Sequence, residues 1–130
     1  MPGKVTIVYL GLGSNEGNRA KLLEQAVSEI AALVGFVVSR SSVVETEPWG
    51  YASPNKFLNM VVAVETALTP MRLLAVTQRI ERQLGRRHKT SPQQPVYQDR
   101  PMDIDILLYG NRTIRTPRLT VPHPLLLQRD

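Results

Sequence analysis

Two aspartates, Asp103 and Asp105, occupy alternate positions in RPMDIDILLYG, a run otherwise apolar enough for a buried strand. Alternate strand residues share a face and lie about 7 Å apart. At that distance two ionised carboxylates repel by about 2 kcal/mol at an effective dielectric of about 20. A divalent cation between them removes that cost. Hard oxygen ligands suit Mg2+, which takes one or two carboxylates and completes its shell with phosphate oxygens and water. Two such ions can clamp a phosphoryl group in transfer. A solvated strand face also tolerates the pair without metal, so the surroundings must decide between the two readings.

Those surroundings are basic. Arg86, Arg87, His88, Lys89 and Arg100 precede the aspartates, and Arg112, Arg115, Arg118, His123 and Arg129 follow them. Carboxylates for metal and guanidinium groups for phosphate are the components of a nucleotide-polyphosphate site. Cations at the end of a helix also favour its dipole, which accounts equally well for Arg87 and Lys89.

Other candidates are weaker. GLGSNEG lacks the Gly-Lys-Ser/Thr ending of a phosphate loop and has Glu16 where the dinucleotide fingerprint wants glycine, so a structural turn is expected. Trp49, between Pro48 and Gly50, either anchors a loop or meets a flat ligand. Phe57 and Asn59, two residues apart, suit stacking on and hydrogen bonding to a heteroaromatic ring. His123, between Pro122 and Pro124, reads as a surface turn or a phosphate contact. No Ser/His/Asp or Cys/His arrangement suggests a covalent nucleophile.

The positioning elements follow from periodicity. Residues 5–10 are β-branched and apolar and read as a buried strand ended by Gly11 and Gly13. Leu22, Leu23, Ala26, Val27, Ile30 and Leu33 recur at helical spacing, with Ser14, Asn15 and Asn18 as candidate caps and Gly35 as the stop. Residues 36–46 and 57–66 read as strands joined by the turn-rich EPWGYASPNK. Thr69 and Pro70 open a second helix whose stripe is Leu73, Thr77, Ile80 and Leu84 before Gly85. Residues 86–101 lack periodicity and read as a lid or disordered segment. A strand at 103–108, a turn at 109–112 and a short strand at 113–115 complete the pattern.

Strand, helix, strand, strand, helix, strand is the ferredoxin-like α+β order, βαββαβ, an antiparallel sheet with two main helices on one face. Period 2 then sorts the side chains. Met102, Ile104 and Ile106, like Leu58, Met60, Val62 and Val64, are expected beneath the helices. Asp103, Asp105, Phe57 and Asn59 are expected on the opposite face with the ligand site.

With 130 residues the chain fits one domain, 1–130. Lys and Arg total 16 against 11 acidic residues, a net charge of +5, which favours an anionic partner. The absence of cysteine excludes disulfides and thiolate metal sites. No apolar run approaches the length of a membrane span, and the first residues lack a signal-peptide pattern, so a cytoplasmic protein is expected.

ETEPWGY, FLN, TQRIERQLGR, DRPMDIDILLYGN and RLTVPH, in this order, resemble the 6-hydroxymethyl-7,8-dihydropterin pyrophosphokinase family of folate biosynthesis. The resemblance covers nearly the whole chain. It implies transfer of pyrophosphate from ATP to the hydroxymethyl group of a reduced pterin, with release of AMP and in-line attack on the β-phosphorus. It assigns two Mg2+ ions to Asp103 and Asp105, and phosphate contacts to Arg86, Arg100 and His123. It assigns the ATP pocket to Gln78, Ile106, Arg118, Thr120 and Arg129, and the pterin pocket to Thr46, Trp49, Phe57 and Asn59. Where family lids carry a tryptophan, this chain has Tyr97 as the replacement ring. Family chains continue beyond the point matching Asp130, so the domain is expected to be shortened at its C-terminus. The partners implied are ATP and hydroxymethyl-dihydropterin, with no nucleic acid or membrane, and a monomer as the default.

Two other readings compete. An RRM-type RNA-binding module shares the element order, but its aromatic strand motif is missing and two aspartates on the binding face would repel a phosphate backbone. A shortened, catalytically weak relative would bind ATP or serve as an interaction subunit.

Overall fold

The computed structural model describes residues 4–47, 55–85 and 101–124. Trp49, Arg86, Tyr97, Arg100 and Arg129, together with most of the expected lid, lie outside the described residues.

The chain runs β1 (Thr6–Ser14), α1 (Arg19–Leu33), β2 (Gly35–Arg40), β3 (Val44–Thr46), β4 (Phe57–Thr66), α2 (Pro70–Gln83), β5 (Asp103–Tyr109), β6 (Ile114–Arg115) and β7 (Thr120–Val121). The main sheet has the order β2-β4-β1-β5, with β3 extending the β2 side of β4. Each neighbouring pair is antiparallel. This is the ferredoxin-like arrangement, with β6 and β7 added as a two-stranded ribbon.

Register is fixed by the buried face. Val8, Leu10 and Leu12 of β1, Met60, Val62 and Val64 of β4, and Ile104 and Ile106 of β5 form one core with Leu23, Ala26, Val27 and Ile30 of α1 and Leu73 and Ile80 of α2. Each of the larger side chains among them, Val, Leu, Ile or Met, contributes about 1.5–3 kcal/mol on burial. A one-residue slip of any strand would turn its whole set outward, so the pairing has no close competitor.

Both helices begin as the side-chain chemistry requires. The Asn18 side chain accepts from Lys21 N at 3.2 Å, and the Thr69 hydroxyl accepts from Arg72 N at 3.3 Å, with Pro70 following in the first turn.

Four sequence expectations need correction. GLGS is not a turn: it forms the end of β1, because this strand is paired on both sides and tertiary pairing outweighs the poor strand propensity of glycine. The strand expected over 36–46 is two strands, β2 and β3, separated by residues 41–43. Leu33 is exposed, and the neighbouring Val34 is buried in its place. Tyr109 ends β5 rather than opening a turn, and its hydroxyl donates to Leu68 O.

Gly35 follows α1 for a reason other than a left-handed cap. It opens β2 so close to β4 that a Cβ there would fall 1.8 Å from Glu65 O. Among the described residues no helix is long and apolar enough to cross a membrane.

Candidate active site

The face of the sheet opposite the helices brings most of the described candidates together. β5 alternates as period 2 requires: Ile104 and Ile106 are buried, whereas Asp103 and Asp105 are half-buried and turned away from the core. Directly beside them runs β1, with Gly13 opposite Asp103 and Gly11 opposite Asp105. On the far side of β1, Gly13 is also paired with Asn59 of β4. Asp103, Gly13 and Asn59 therefore form one row across three strands, spanning two interstrand spacings, or about 10 Å.

The glycines make the middle of that row a floor. A Cβ on Gly13 would meet Asn59 Oδ1 at 3.1 Å and Phe57 Cδ1 at 3.3 Å, and one on Gly11 would meet the Leu107 side chain at 3.4 Å. Sequence reasoning set GLGSN aside because it matches no phosphate loop. The signal it overlooked is simpler, since glycines at alternate positions of a strand leave one face without side chains.

At the β4 end, Thr46, Phe57 and Asn59 meet. Thr46 is paired with Phe57 across the strands, and Asn59 Nδ2 donates to the Thr46 hydroxyl at 2.6 Å. Because Nδ2 is held by Thr46, Asn59 Oδ1 is presented over Gly13. The result is a ring edge beside an oriented amide, a surface suited to a flat heterocycle.

At the β5 end, the chain after β7 crosses the aspartate strand. His123 N donates to Leu107 O at 3.1 Å, and His123 Nε2 lies 3.5 Å from Asp105 Oδ1. Thr120 lies in β7 and Arg118 just before it; both are exposed, while Leu119 and Val121 between and beside them anchor the ribbon in the core. Ile106, expected to line a nucleotide pocket, has its side chain in the core. Gln78 is exposed on α2, one turn before Glu81.

Glu81 is the residue that sequence reasoning missed. Its carboxylate is buried and accepts from Ile104 N at 2.7 Å, between the two aspartates. The signal was present: Glu81 falls four residues after Thr77, within the apolar stripe of α2, where a charge needs a partner.

The acidic pair fits Mg2+ better than a metal with an all-protein cage. Among the described residues no three His, Asp or Glu side chains converge to hold an ion. Two half-buried carboxylates on one strand face leave phosphate oxygens and water to complete a shell, while Gly11 and Gly13 beside them add no side chains of their own and are bordered by Leu107, Asn59 and Phe57. A separate cleft of about 390 Å³ lies between the α1 entry and the β3–β4 end, lined by Asn15, Glu16, Arg19, Glu45, Asn55 and Lys56. It includes none of the candidate residues.

Fold and site thus define an α+β protein with two carboxylates of β5 and the Thr46, Phe57 and Asn59 cluster on one open sheet face. Residues 9–130 match the family model described as 7,8-dihydro-6-hydroxymethylpterin-pyrophosphokinase, and the chain belongs to that family. It is 48% identical over 127 residues to the 2-amino-4-hydroxy-6-hydroxymethyldihydropteridine pyrophosphokinase of Porphyromonas gingivalis, covering 97% of this chain and 85% of that one. The enzyme of the same name from Bacillus subtilis is 41% identical over 124 residues, covering 95% and 71%. Among solved structures, wild-type Plasmodium falciparum HPPK-DHPS superposes with a TM-score of 0.65 at 19% identity, over 86% of this chain and 30% of that one. That likeness bears on the fold. Taken together, the similarities favour a pyrophosphokinase over a weak ATP-binding relative.

Proposed function

We propose that the chain transfers pyrophosphate from ATP to the hydroxymethyl group of 6-hydroxymethyl-7,8-dihydropterin, releasing AMP. The observation that supports this reading is the row Asp103, Gly13, Asn59, in which an aspartate and an asparagine lie on one face about 10 Å apart, a spacing that suits a cation at one end and a ring at the other. Family membership supplies the reaction class.

In this reading Phe57 stacks on the pterin, and Asn59, held by Thr46, hydrogen-bonds its edge. Gly11 and Gly13 add no side chains of their own between the two halves of the site, where Leu107, Asn59 and Phe57 already crowd the sheet. Asp103 and Asp105 would hold two Mg2+ ions, which when bound neutralise phosphate charge. His123, beside Asp105, is placed to donate to a phosphate oxygen, and Arg118 and Thr120 border the nucleotide side. The family resemblance assigns Gln78 and Ile106 to the same nucleotide pocket, although the Ile106 side chain is in the core. It also assigns Arg86, Arg100, Tyr97 and Arg129 to ATP and Trp49 to the pterin; all five lie outside the described residues. Such catalysis is positioning and charge neutralisation, with no covalent enzyme intermediate. ATP and the pterin are small and water-soluble, which suits a cytoplasmic enzyme.

The test is AMP release from ATP measured with and without hydroxymethyl-dihydropterin and Mg2+. AMP formed only when both are present supports the reading. Tight ATP binding with no AMP under any condition overturns it.

A further inference from the structure

We propose that Glu81 is a positioning residue, whose buried carboxylate clamps the backbone between Asp103 and Asp105 and so sets the bearing of both acids toward their cation. The inference deepens the pyrophosphokinase reading and rests on it for the identity of the cation.

β5 lies at the edge of the main sheet, paired along one side with β1. Successive residues of a strand direct their backbone groups to opposite sides. Ile104 N points away from β1 and reaches Glu81 Oε2 at 2.7 Å, so α2 supplies an acceptor where a further strand would otherwise do so. The bond is charge-assisted and buried, the kind that fixes geometry most firmly. Its position matters more than its strength. Ile104 is the single residue between the two acids, and its side chain is itself locked in the core. With both its backbone and its side chain held, the pleat at this residue cannot rotate, and the neighbouring carboxylates are held to one face.

Stability alone does not explain a carboxylate here. An apolar residue at this position would leave the Ile104 N–H buried and unpaired at a cost of about 1–3 kcal/mol, yet a neutral amide would meet that need without burying a charge. Partners that orient a metal's ligands, by contrast, typically cost about 10–100-fold in metal affinity when removed.

The test uses the full chain with Mn2+ as the probe, bound in the presence of a non-hydrolysable ATP analogue and followed by calorimetry. Amide hydrogen exchange at Ile104 is followed in parallel. Glu81→Ala is expected to weaken Mn2+ binding about 10–100-fold and to speed Ile104 exchange. Glu81→Gln keeps an acceptor oxygen, and is expected to preserve Ile104 protection and hold Mn2+ within about threefold of wild type. Should Glu81→Ala fail to fold, Glu81→Gln still decides, because loss of both Ile104 protection and Mn2+ affinity in that variant overturns the clamp. Wild-type exchange and affinity in Glu81→Ala overturn it as well. Asp105→Ala separates the two claims: wild type binding Mn2+ no better than Asp105→Ala refutes the metal reading, while exchange at Ile104 still judges the clamp.

Discussion

The two faces of the central sheet are built from the same strands yet obey different rules. On the helix side, β1, β4 and β5 present Leu10, Leu12, Val62, Val64, Ile104 and Ile106, all buried and each bound to its register by packing. On the other side the same strands present Gly11, Gly13, Asn59, Asp103 and Asp105. Those residues contribute little to a core. The difference shows how one alternating pattern can carry stability and chemistry independently, one residue apart. The open face is not uniformly polar, since Tyr9, Phe36 and Val61 are exposed on it and Val61 shares a row with Gly11 and Asp105.

Substitutions should therefore separate cleanly by face. The largest effect is expected for Asp105→Ala, which should lower kcat at least about 100-fold by removing charge stabilisation from the site, while circular dichroism and the unfolding midpoint stay near wild type. An unfolded Asp105→Ala would break the comparison. One strand away and facing inward, Leu10→Ala should do the reverse, costing about 2–5 kcal/mol of stability in denaturant unfolding. Its turnover should remain measurable wherever the protein is folded.

A subtler test lies at the floor between the two halves of the site. Gly13→Ala places a methyl group 3.1 Å from Asn59 Oδ1 and 3.3 Å from the Phe57 ring, tight enough that these side chains must move. We expect KM for the pterin to rise by about tenfold, the effect of about 1.4 kcal/mol of lost contact, with little change in KM for ATP. Equal rises in both would mean that the floor does not belong to the pterin side.

The smallest effect should come from the surface. Glu24 pairs with Arg40, and this hydrogen bond holds the Glu24 carboxyl below its ordinary pKa. A lowered folded-state pKa stabilises above the ordinary glutamate range and is lost as pH falls through the folded value. Both groups are at the surface, so Glu24→Gln should leave the unfolding midpoint unchanged at neutral pH and flatten only a slight acid-side decline.

Much of this architecture was legible before any coordinates. Periodicity separated Ile104 and Ile106 from Asp103 and Asp105, and Met60 and Val62 from Phe57 and Asn59, because period 2 is a local property of the chain. The cap residues Asn18 and Thr69 were readable for the same reason. What was not legible depends on neighbours distant in sequence. Gly11 and Gly13 look like a turn until β4 and β5 pair on either side of them. Glu81 stands out within the apolar stripe of α2, but its partner, Ile104 N, lies 23 positions away and no local pattern names it. The strand expected at 113–115 is β6, but its partner β7, which leads to His123 beside Asp105, has too few residues to declare a strand by pattern.

The central claim is that a divalent cation sits over the acidic pair on the glycine floor. It is tested most directly by adding Mn2+ with a non-hydrolysable ATP analogue to isotope-labelled protein and recording paramagnetic broadening of backbone amides. We predict the strongest broadening at Asp103, Asp105, Gly11 and Gly13, with signals of α1 residues such as Ala26 and Ile30 far less affected. Broadening centred on the helix side, or spread evenly over the surface, would contradict the account.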